Sequence, residues 1–209
     1  MLRDSAYWDE FYSLEHDEIK EPSKFAKFIF NNFLRNKNKA SLIEFGCGNG
    51  RDSLYFNAKG IDVVAIDGSH ITIENLQKQN QKASWICADF TAPLNLKDKF
   101  DICYSRFTLH AIDDIAELGL IKNVKNLLKP SGLFVVEARS INDDKFGVGK
   151  AVGDREFISD GHYRRFIDPD IFKSNLIANG FKVISIEQSN QFAPTPGQNC
   201  VCIRVIAKL

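Results

Sequence analysis

The sequence has 209 residues, 44% apolar and 26% charged, the composition of one globular domain and not of a disordered or fibrous chain. Its 27 acidic and 27 basic residues cancel, which argues against a basic surface wrapped on nucleic acid, and no apolar run approaches the ~20 residues that span a bilayer. The N-terminus MLRDSAYWDEFY has neither a signal-peptide core nor an arginine-rich transit pattern. The five cysteines, an odd number with 200 and 202 too close for an ordinary pair, read as reduced thiols of a cytoplasmic protein.

In chain order, an aromatic N-terminal segment is followed by a helix over 22–35, with Pro22 in the first turn and Phe25, Phe28, Ile29 and Phe33 at helical spacing. Residues 1–36 are thus expected to form a helical and aromatic cap. SLIEF (41–45) is a short strand that runs into a glycine turn, and a helix from about Asp52 to Ala58 is closed by Gly60. IDVVAID (61–67), SWICAD (84–89) and FDICYS (100–105) are further buried strands, with a polar helix from about Ser69 to Gln81 between the first two. A helix over 113–129 stops at Pro130–Gly132 and leads into LFVVEA (133–138). Apolar strands alternating with crossover helices are the pattern of a parallel sheet covered on both faces.

The rhythm breaks at 139–165, which has four glycines and little apolar periodicity. A loop longer than ~12–15 residues is usually functional or disordered, and this one is expected to be an active-site lid. Asp168–Pro169 then starts a helix that Asn179–Gly180 ends. The final strands, FKVISIEQ and NCVCIRVIAKL, have about ten polar residues between them, too few for a helical crossover. They are expected to be antiparallel.

The strongest local signal is Glu44-Phe45-Gly46-Cys47-Gly48-Asn49-Gly50. Glycines at a strand end let a ligand lie against the backbone, and the following helix offers free N–H groups. Two cofactors fit such a turn. A dinucleotide fingerprint needs G-x-G-x-x-G/A. Its third position falls on Arg51 or on Ser53, and Ser53 is small enough to keep that reading open.

In its motifs the sequence resembles the class I S-adenosylmethionine-dependent methyltransferases. Their acidic residue followed by G-x-G-x-G is matched at 44–50, their acidic residue ending the second strand by Asp67, their A-D-hydrophobe after the third by Asp89 in CADF, and their L-K-P-G-G turn by LKPSGLF, with Ser131 in place of a glycine. The resemblance covers about residues 40–138. It implies a Rossmann-like α/β fold: a mostly parallel seven-stranded sheet with an antiparallel last strand and helices on both faces. It also implies S-adenosyl-L-methionine as cofactor, with S-adenosyl-L-homocysteine as product. Asp67, with Gly68 beside it, would take the ribose hydroxyls. Asp89 would take the adenine amine and Phe90 would cover the ring. Glu44 would organise the glycine turn. Gly46, Gly48 and the Ser105 carbonyl would contact the methionine end, with Arg51 on its carboxylate or facing solvent. Tyr12 or Trp8 would lie beside the sulfonium, where a π face attracts a cation.

Acceptor sites of open parallel sheets lie beyond the carboxyl ends of the strands. Here that means Arg106 to His110 and Arg139. His110 is the candidate general base, since a near-neutral imidazole takes a proton at pH 7, and His162 is its rival. Residues 139–165 hold Arg139, Arg155, Arg164 and Arg165, four of nine arginines in the chain. Arginine grips carboxylate or phosphate, so His162, Tyr163, Arg164 and Arg165 are expected to fold inward onto an anionic acceptor; internally paired charges are the alternative. No metal site is expected. The expected function is methyl transfer to an oxygen or nitrogen of a small molecule, without nucleic-acid or membrane partners. A nicotinamide oxidoreductase and a non-catalytic cofactor-binding module stay open.

Overall fold

The computed structural model describes Tyr7, residues 21–79 and residues 82–209. Trp8, Tyr12 and His16 of the expected N-terminal cap lie outside the described residues. The chain first forms α1 (Lys24–Ile29), which tightens into a π turn (Phe30–Leu34). Then follow β1 (Ser41–Phe45), α2 (Arg51–Ala58), β2 (Asp62–Asp67), α3 (His70–Gln79), β3 (Ser84–Cys87) and β4 (Phe100–Arg106). A 3₁₀ turn (Leu109–Ala111) leads into α4 (Asp114–Leu127) and β5 (Leu128–Arg139). The short strands β6 (Lys150–Gly153), β7 (Glu156–Ser159) and β8 (His162–Arg165) precede α5 (Pro169–Ala178), β9 (Lys182–Ser189) and β10 (Cys202–Lys208).

Seven strands form one sheet in the order β3-β2-β1-β4-β5-β10-β9. β1 is parallel to both β2 and β4, pairing Leu42 with Val63 and with Ile102. β10 alone runs against its neighbours, pairing Val205 with Val136 of β5 and with Ile186 of β9. The expected sheet, with its reversed last strand, is therefore present. The period-2 alternation of β1 sends Ile43 and Phe45 to one face, against Leu120, Ile121 and Val124 of α4 and Phe172 and Leu176 of α5. Leu42 faces the other layer, with Phe25 and Ile29 of α1, Phe56 of α2 and Ile73 and Leu76 of α3. The strand order reverses between β1 and β4, and the crevice at that point is where an open α/β sheet binds its ligand.

Three elements differ from the sequence reading. α1 starts at Lys24 because Ser23, not Pro22, sets its boundary: the Ser23 hydroxyl accepts from the Ala26 N–H and caps the helix. β5 begins directly at Leu128, so the KPSG stretch is part of the strand, with Ser131 at φ 66. Ser131 thus adopts the left-handed backbone that the related glycine would adopt freely.

Residues 139–165 are not an open loop. They fold into a three-stranded antiparallel sheet, β6-β7-β8. Four-residue strands leave no room for a visible alternation. The tell-tale was Asp160–Gly161: both have positive φ, 53 and 80, as a two-residue hairpin turn requires. Phe146, Phe157 and Phe166 pack edge to face at 5.4–5.9 Å and give the excursion its own apolar nucleus.

The segment joining β3 to β4 carries Asp89 and is held by α4. Asn123 donates to the carbonyls of Phe90 (2.8 Å) and Ala92 (2.6 Å). A β-carbon on Gly119 would lie 2.1 Å from the Thr91 carbonyl oxygen. Gly→Ala inside a helix normally stabilises by about 1 kcal/mol. At Gly119 the obstacle is backbone, so Gly119→Ala is expected to destabilise the protein by about 1–3 kcal/mol, measured as a lowered melting temperature by calorimetry.

Candidate active site

The turn from β1 into α2 bends because Gly46, Gly48 and Gly50 all have positive φ, 71, 51 and 73. Two of these glycines make room for protein. A β-carbon on Gly46 would meet Thr108 Oγ1 at 2.5 Å, and one on Gly50 would meet Leu76 at 2.6 Å and Trp85 at 3.0 Å. Close approach of neighbouring side chains thus excludes a β-carbon at these two positions. Gly46 and Cys47 donate their N–H groups to the Ile66 carbonyl (2.8 and 3.0 Å), which ties the turn to β2.

Asp67 ends β2 half-buried and accepts from the N–H groups of Gly48 (2.8 Å) and Ser69 (2.9 Å). It therefore bridges the glycine turn and the residue after Gly68. Glu44 is buried and accepts from the Ser53 hydroxyl on α2. Burial, then Asp52, pushes its carboxyl well above the usual range, which suits an organiser of the turn. Ser53 spends its hydroxyl on Glu44, whereas the third glycine of a dinucleotide fingerprint serves bare helix–strand packing. Arg51 turns its Nε to Asp52 at 3.2 Å. Asp52 is a buried junction: it accepts from the Ser23 N–H (2.8 Å), the Ser23 hydroxyl (2.7 Å) and the Tyr104 hydroxyl (2.8 Å). Burial raises its pKa, but Arg51 and the Ser23 bonds outweigh that and hold the carboxyl below its ordinary value.

Asp89 is half-buried and accepts from the N–H (3.0 Å) and hydroxyl (2.6 Å) of its own neighbour Thr91. The Phe90 ring, expected over an adenine, is instead packed in the core, edge to face with Phe45 at 6.5 Å. At the end of β4, Ser105 is fully buried, and its hydroxyl has no hydrogen-bond partner among the described residues.

Beyond the tips of β4 and β5 the chain gathers a cluster of cationic side chains around a buried histidine. Phe107 has φ 55 and donates its N–H to the Glu137 carbonyl at 2.8 Å. Thr108 donates its hydroxyl to the Phe45 carbonyl at 2.8 Å, which locks β4 to β1. His110 follows, 8% exposed, with its ring 5.6 Å from that of Phe107 and no partner for Nδ1 among the described residues. Burial, then Arg164, Arg139, His162 and Arg106, pushes the His110 imidazole well below its ordinary range. The guanidinium of Arg106 lies 4.3 Å from the Phe107 ring and that of Arg139 lies 5.9 Å from it. Arg164 Nη2 is 2.9 Å from His162 Nε2, and Tyr7 stacks on the His162 ring at 4.6 Å. Tyr163 is buried on the same strand.

The four arginines of 139–165 divide. Arg165 is fully buried; it donates to Glu117 at 2.6 Å and to Asp114, and caps the Leu109 carbonyl. It docks β8 onto the helix that follows the site, so its expected role in gripping an acceptor is replaced by a structural one. Arg155 pairs with Asp114 (2.8 Å) and Arg139 with Asp143 (2.8 Å). Arg164 keeps two buried donors, Nε and Nη1, without partners among the described residues. Burial, then Arg139, lowers it from its ordinary value, the mark of a cation short of counter-charge.

The structure therefore brings Arg106, Arg139, His162 and Arg164 around His110 and removes Arg165. Three contributors escaped sequence reasoning: Thr108 as the partner of Gly46, Asp52 as a junction, and Tyr7 on His162. The first two rest on contacts between residues distant in sequence. The placement of Tyr7 depends on the hairpin that Asp160–Gly161 signals. Removing one partner of a buried ion pair costs about 3–5 kcal/mol. Arg165→Ala is expected to lower stability by that order, while Arg164→Ala leaves the melting temperature within a few degrees. Denaturant titration of both variants checks the contrast.

Comparison with known proteins agrees with this architecture. Residues 14–186 match a family described as Methyltransferase domain. A malonyl-[acyl-carrier protein] O-methyltransferase of Pseudescherichia vulneris is 29% identical over 100 residues, 47% of this chain and 39% of that protein. The chain thus aligns with about two fifths of that relative's length. A methyltransferase structure from Methanosarcina mazei superposes with a TM-score of 0.75 at 18% identity, over 86% of this chain and 95% of that one. A glycopeptide N-methyltransferase solved with S-adenosyl-L-methionine superposes with a TM-score of 0.67 at 16% identity, over 93% of this chain and 99% of that one. The sheet is therefore the Rossmann-like sheet of these enzymes, and with most of its length matched the chain belongs to the methyltransferase-domain family.

Proposed function

We propose that this chain transfers a methyl group from S-adenosylmethionine to an oxygen or nitrogen of a small anionic acceptor. The observation that carries the reading is the cluster at the tips of β4 and β5, where Arg106, Arg139 and Arg164 lie near enough to act on buried His110. It lies beside the glycine turn, joined to it by Thr108.

The residues present fit the cofactor. The backbone N–H groups of Gly48 and Ser69 hold the carboxylate of Asp67. Asp67 is thus oriented at a strand tip, as recognition of a ribose diol requires. Asp89 stands at the next strand end for the adenine amine. The hydroxyl of Ser105, buried and without a partner among the described residues, is a polar group suited to the methionine end, with the backbone of Gly46 and Gly48. Arg51 is engaged by Asp52 and contributes through the field it sets at the turn. The neighbour solved with S-adenosyl-L-methionine supports the same assignment.

When bound, S-adenosylmethionine supplies a methyl group already activated on a sulfonium. The protein's part is to align the acceptor and exclude water. Arg164 and Arg139 hold the acceptor's negative group, Phe107 walls the pocket, and His110 takes the proton of a hydroxyl or amine as the new bond forms. His162 is paired with Arg164 and stacked on Tyr7, and its role is to orient Arg164. The relatives include an O- and an N-methyltransferase by name, and the pocket serves either atom.

Replacing Asp67 by Ala removes charge-assisted hydrogen bonds of ~1.5–3 kcal/mol, about 10- to 150-fold in affinity. Calorimetric titration with S-adenosylhomocysteine is expected to show that loss in a folded variant. Unchanged affinity takes Asp67 out of the ribose site.

His110→Ala is expected to lower kcat by ~10²–10⁴, with S-adenosylhomocysteine affinity unchanged. The sign of the pH dependence follows from its depressed pKa. The base is neutral, and competent, down to below pH 6.5, so kcat/KM rises with pH through a limb below that value and then stays flat. A limb at or above the ordinary histidine value, or one retained in His110→Ala, rules out His110 as the base.

A further inference from the structure

Beside Phe107 lies a concavity of about 220 Å³, between the start of α1, the tip of β4 and the segment joining β9 to β10. Its walls include Lys24, Arg106, Phe107, Phe192, Pro194 and Thr195. The Phe107 ring lies 5.6 Å from that of His110, and Phe107 also lines this cavity. Its backbone is held in the left-handed region, φ 55, where a bulky residue is a genuine outlier. Such outliers persist where the surroundings over-determine them, and they cluster at ligand sites.

The charge around this cavity is positive. The single carboxylate of Glu137 is fully buried and accepts from both Arg106 (2.8 Å) and Arg204 (2.7 Å), so the trio retains one positive charge. Lys24 adds another at the rim; its ammonium has a 3.5 Å contact with the Gln191 carbonyl. Among the described residues no carboxylate lines the cavity. The apolar wall is braced by Arg204. Arg204 stacks on Phe192 at 4.1 Å and donates to the Phe192 carbonyl at 3.3 Å. The same guanidinium stands 5.3 Å from Phe25 and from Phe28, which fixes the segment to α1.

Two cations and two rings around a small space select a flat apolar body that carries one negative group. We infer that this cavity is a binding site for a small aromatic carboxylate, held by Lys24 and Arg106 against Phe107 and Phe192. The cavity shares Arg106 and Phe107 with the His110 site, and a direct binding measurement tests it whether or not methyl transfer takes place.

The probe is 4-fluorobenzoate, followed by ¹⁹F NMR titration of the whole protein, with neutral 4-fluorobenzamide as control. Binding with Kd on the order of 1 mM is expected, and the amide should bind at least about ten-fold more weakly, as loss of a charge-assisted contact implies. Lys24→Glu and Phe192→Ala change an exposed side chain and a loop side chain, so both should stay folded. Each is expected to weaken 4-fluorobenzoate by about ten-fold or more. Arg164→Ala should leave its binding unchanged, because Arg164 stands on the His110 side. No binding, equal binding of acid and amide, or a loss caused by Arg164→Ala but not by Lys24→Glu would overturn the assignment.

Discussion

The tips of β1 and β4 approach so closely that only hydrogen fits at the α-carbon of Gly46, because Thr108 occupies the space a β-carbon would take. The Thr108 hydroxyl completes the contact by donating to the Phe45 carbonyl. This joint sits at the strand-order reversal and fixes both sides of the crevice relative to each other. On one side the glycine turn presents Asp67 through the Gly48 N–H. On the other, with Thr108 turned inward, Phe107 takes positive φ and Leu109 enters the core, so that the following turn carries His110. A residue larger than glycine at position 46 would have to separate the two strand tips, and with them the two halves of the site.

Buried charge is arranged around that joint in closed sets. Desolvating an ion costs several kcal/mol unless it is paired and hydrogen-bonded. Asp52 meets this with three donors from Ser23 and Tyr104 besides Arg51. Glu137 meets it with two arginines, and Arg165 with Glu117, Asp114 and a carbonyl. Each set also joins elements: α1 to α2 and β4, β4 to β5 and β10, and β8 to α4. The small sheet of 150–165 is thereby fastened to α4 by Arg165 and Arg155. Arg164, between two such fastened positions, acts on His110 with no carboxylate bonded to it among the described residues.

Much of the fold was legible in the sequence because the parallel strands are short, mostly apolar and separated by helices with strong start and stop signals, such as Asp168–Pro169 and Asn179–Gly180. The glycine turn and the acids ending β2 and β3 were legible because they are local, fixed by backbone conformation and spacing. The acceptor side was less so. The sequence places Arg164 and Arg165 side by side with identical chemistry, yet strand alternation sends them to opposite faces, one toward His110 and one into an ion pair. Deciding which is which needs the register of β8, and that depends on a hairpin whose Asp-Gly turn is its single clear mark. Phe90 shows the converse: its neighbourhood resembles a ligand contact, but tertiary packing against Phe45 claims the ring.

The arginines that depress the basicity of His110 also give the proposed acceptor its role. In their field an imidazolium is doubly disfavoured, by burial and by like charge. The histidine is therefore neutral, as a base must be, but weak. An acceptor that brings a negative group between Arg139 and Arg164 cancels part of that field and raises the proton affinity of His110 at the moment a proton has to be taken. A neutral acceptor of the same shape leaves the field in place. Charge selection and base strength are then two consequences of one electrostatic arrangement, so that discrimination is exerted on the transition state as well as on binding. The same logic explains why these cations are held at a buried site at all: on an exposed surface their influence would be screened within about 10 Å by salt, whereas beside the buried ring of His110 it is felt at full strength.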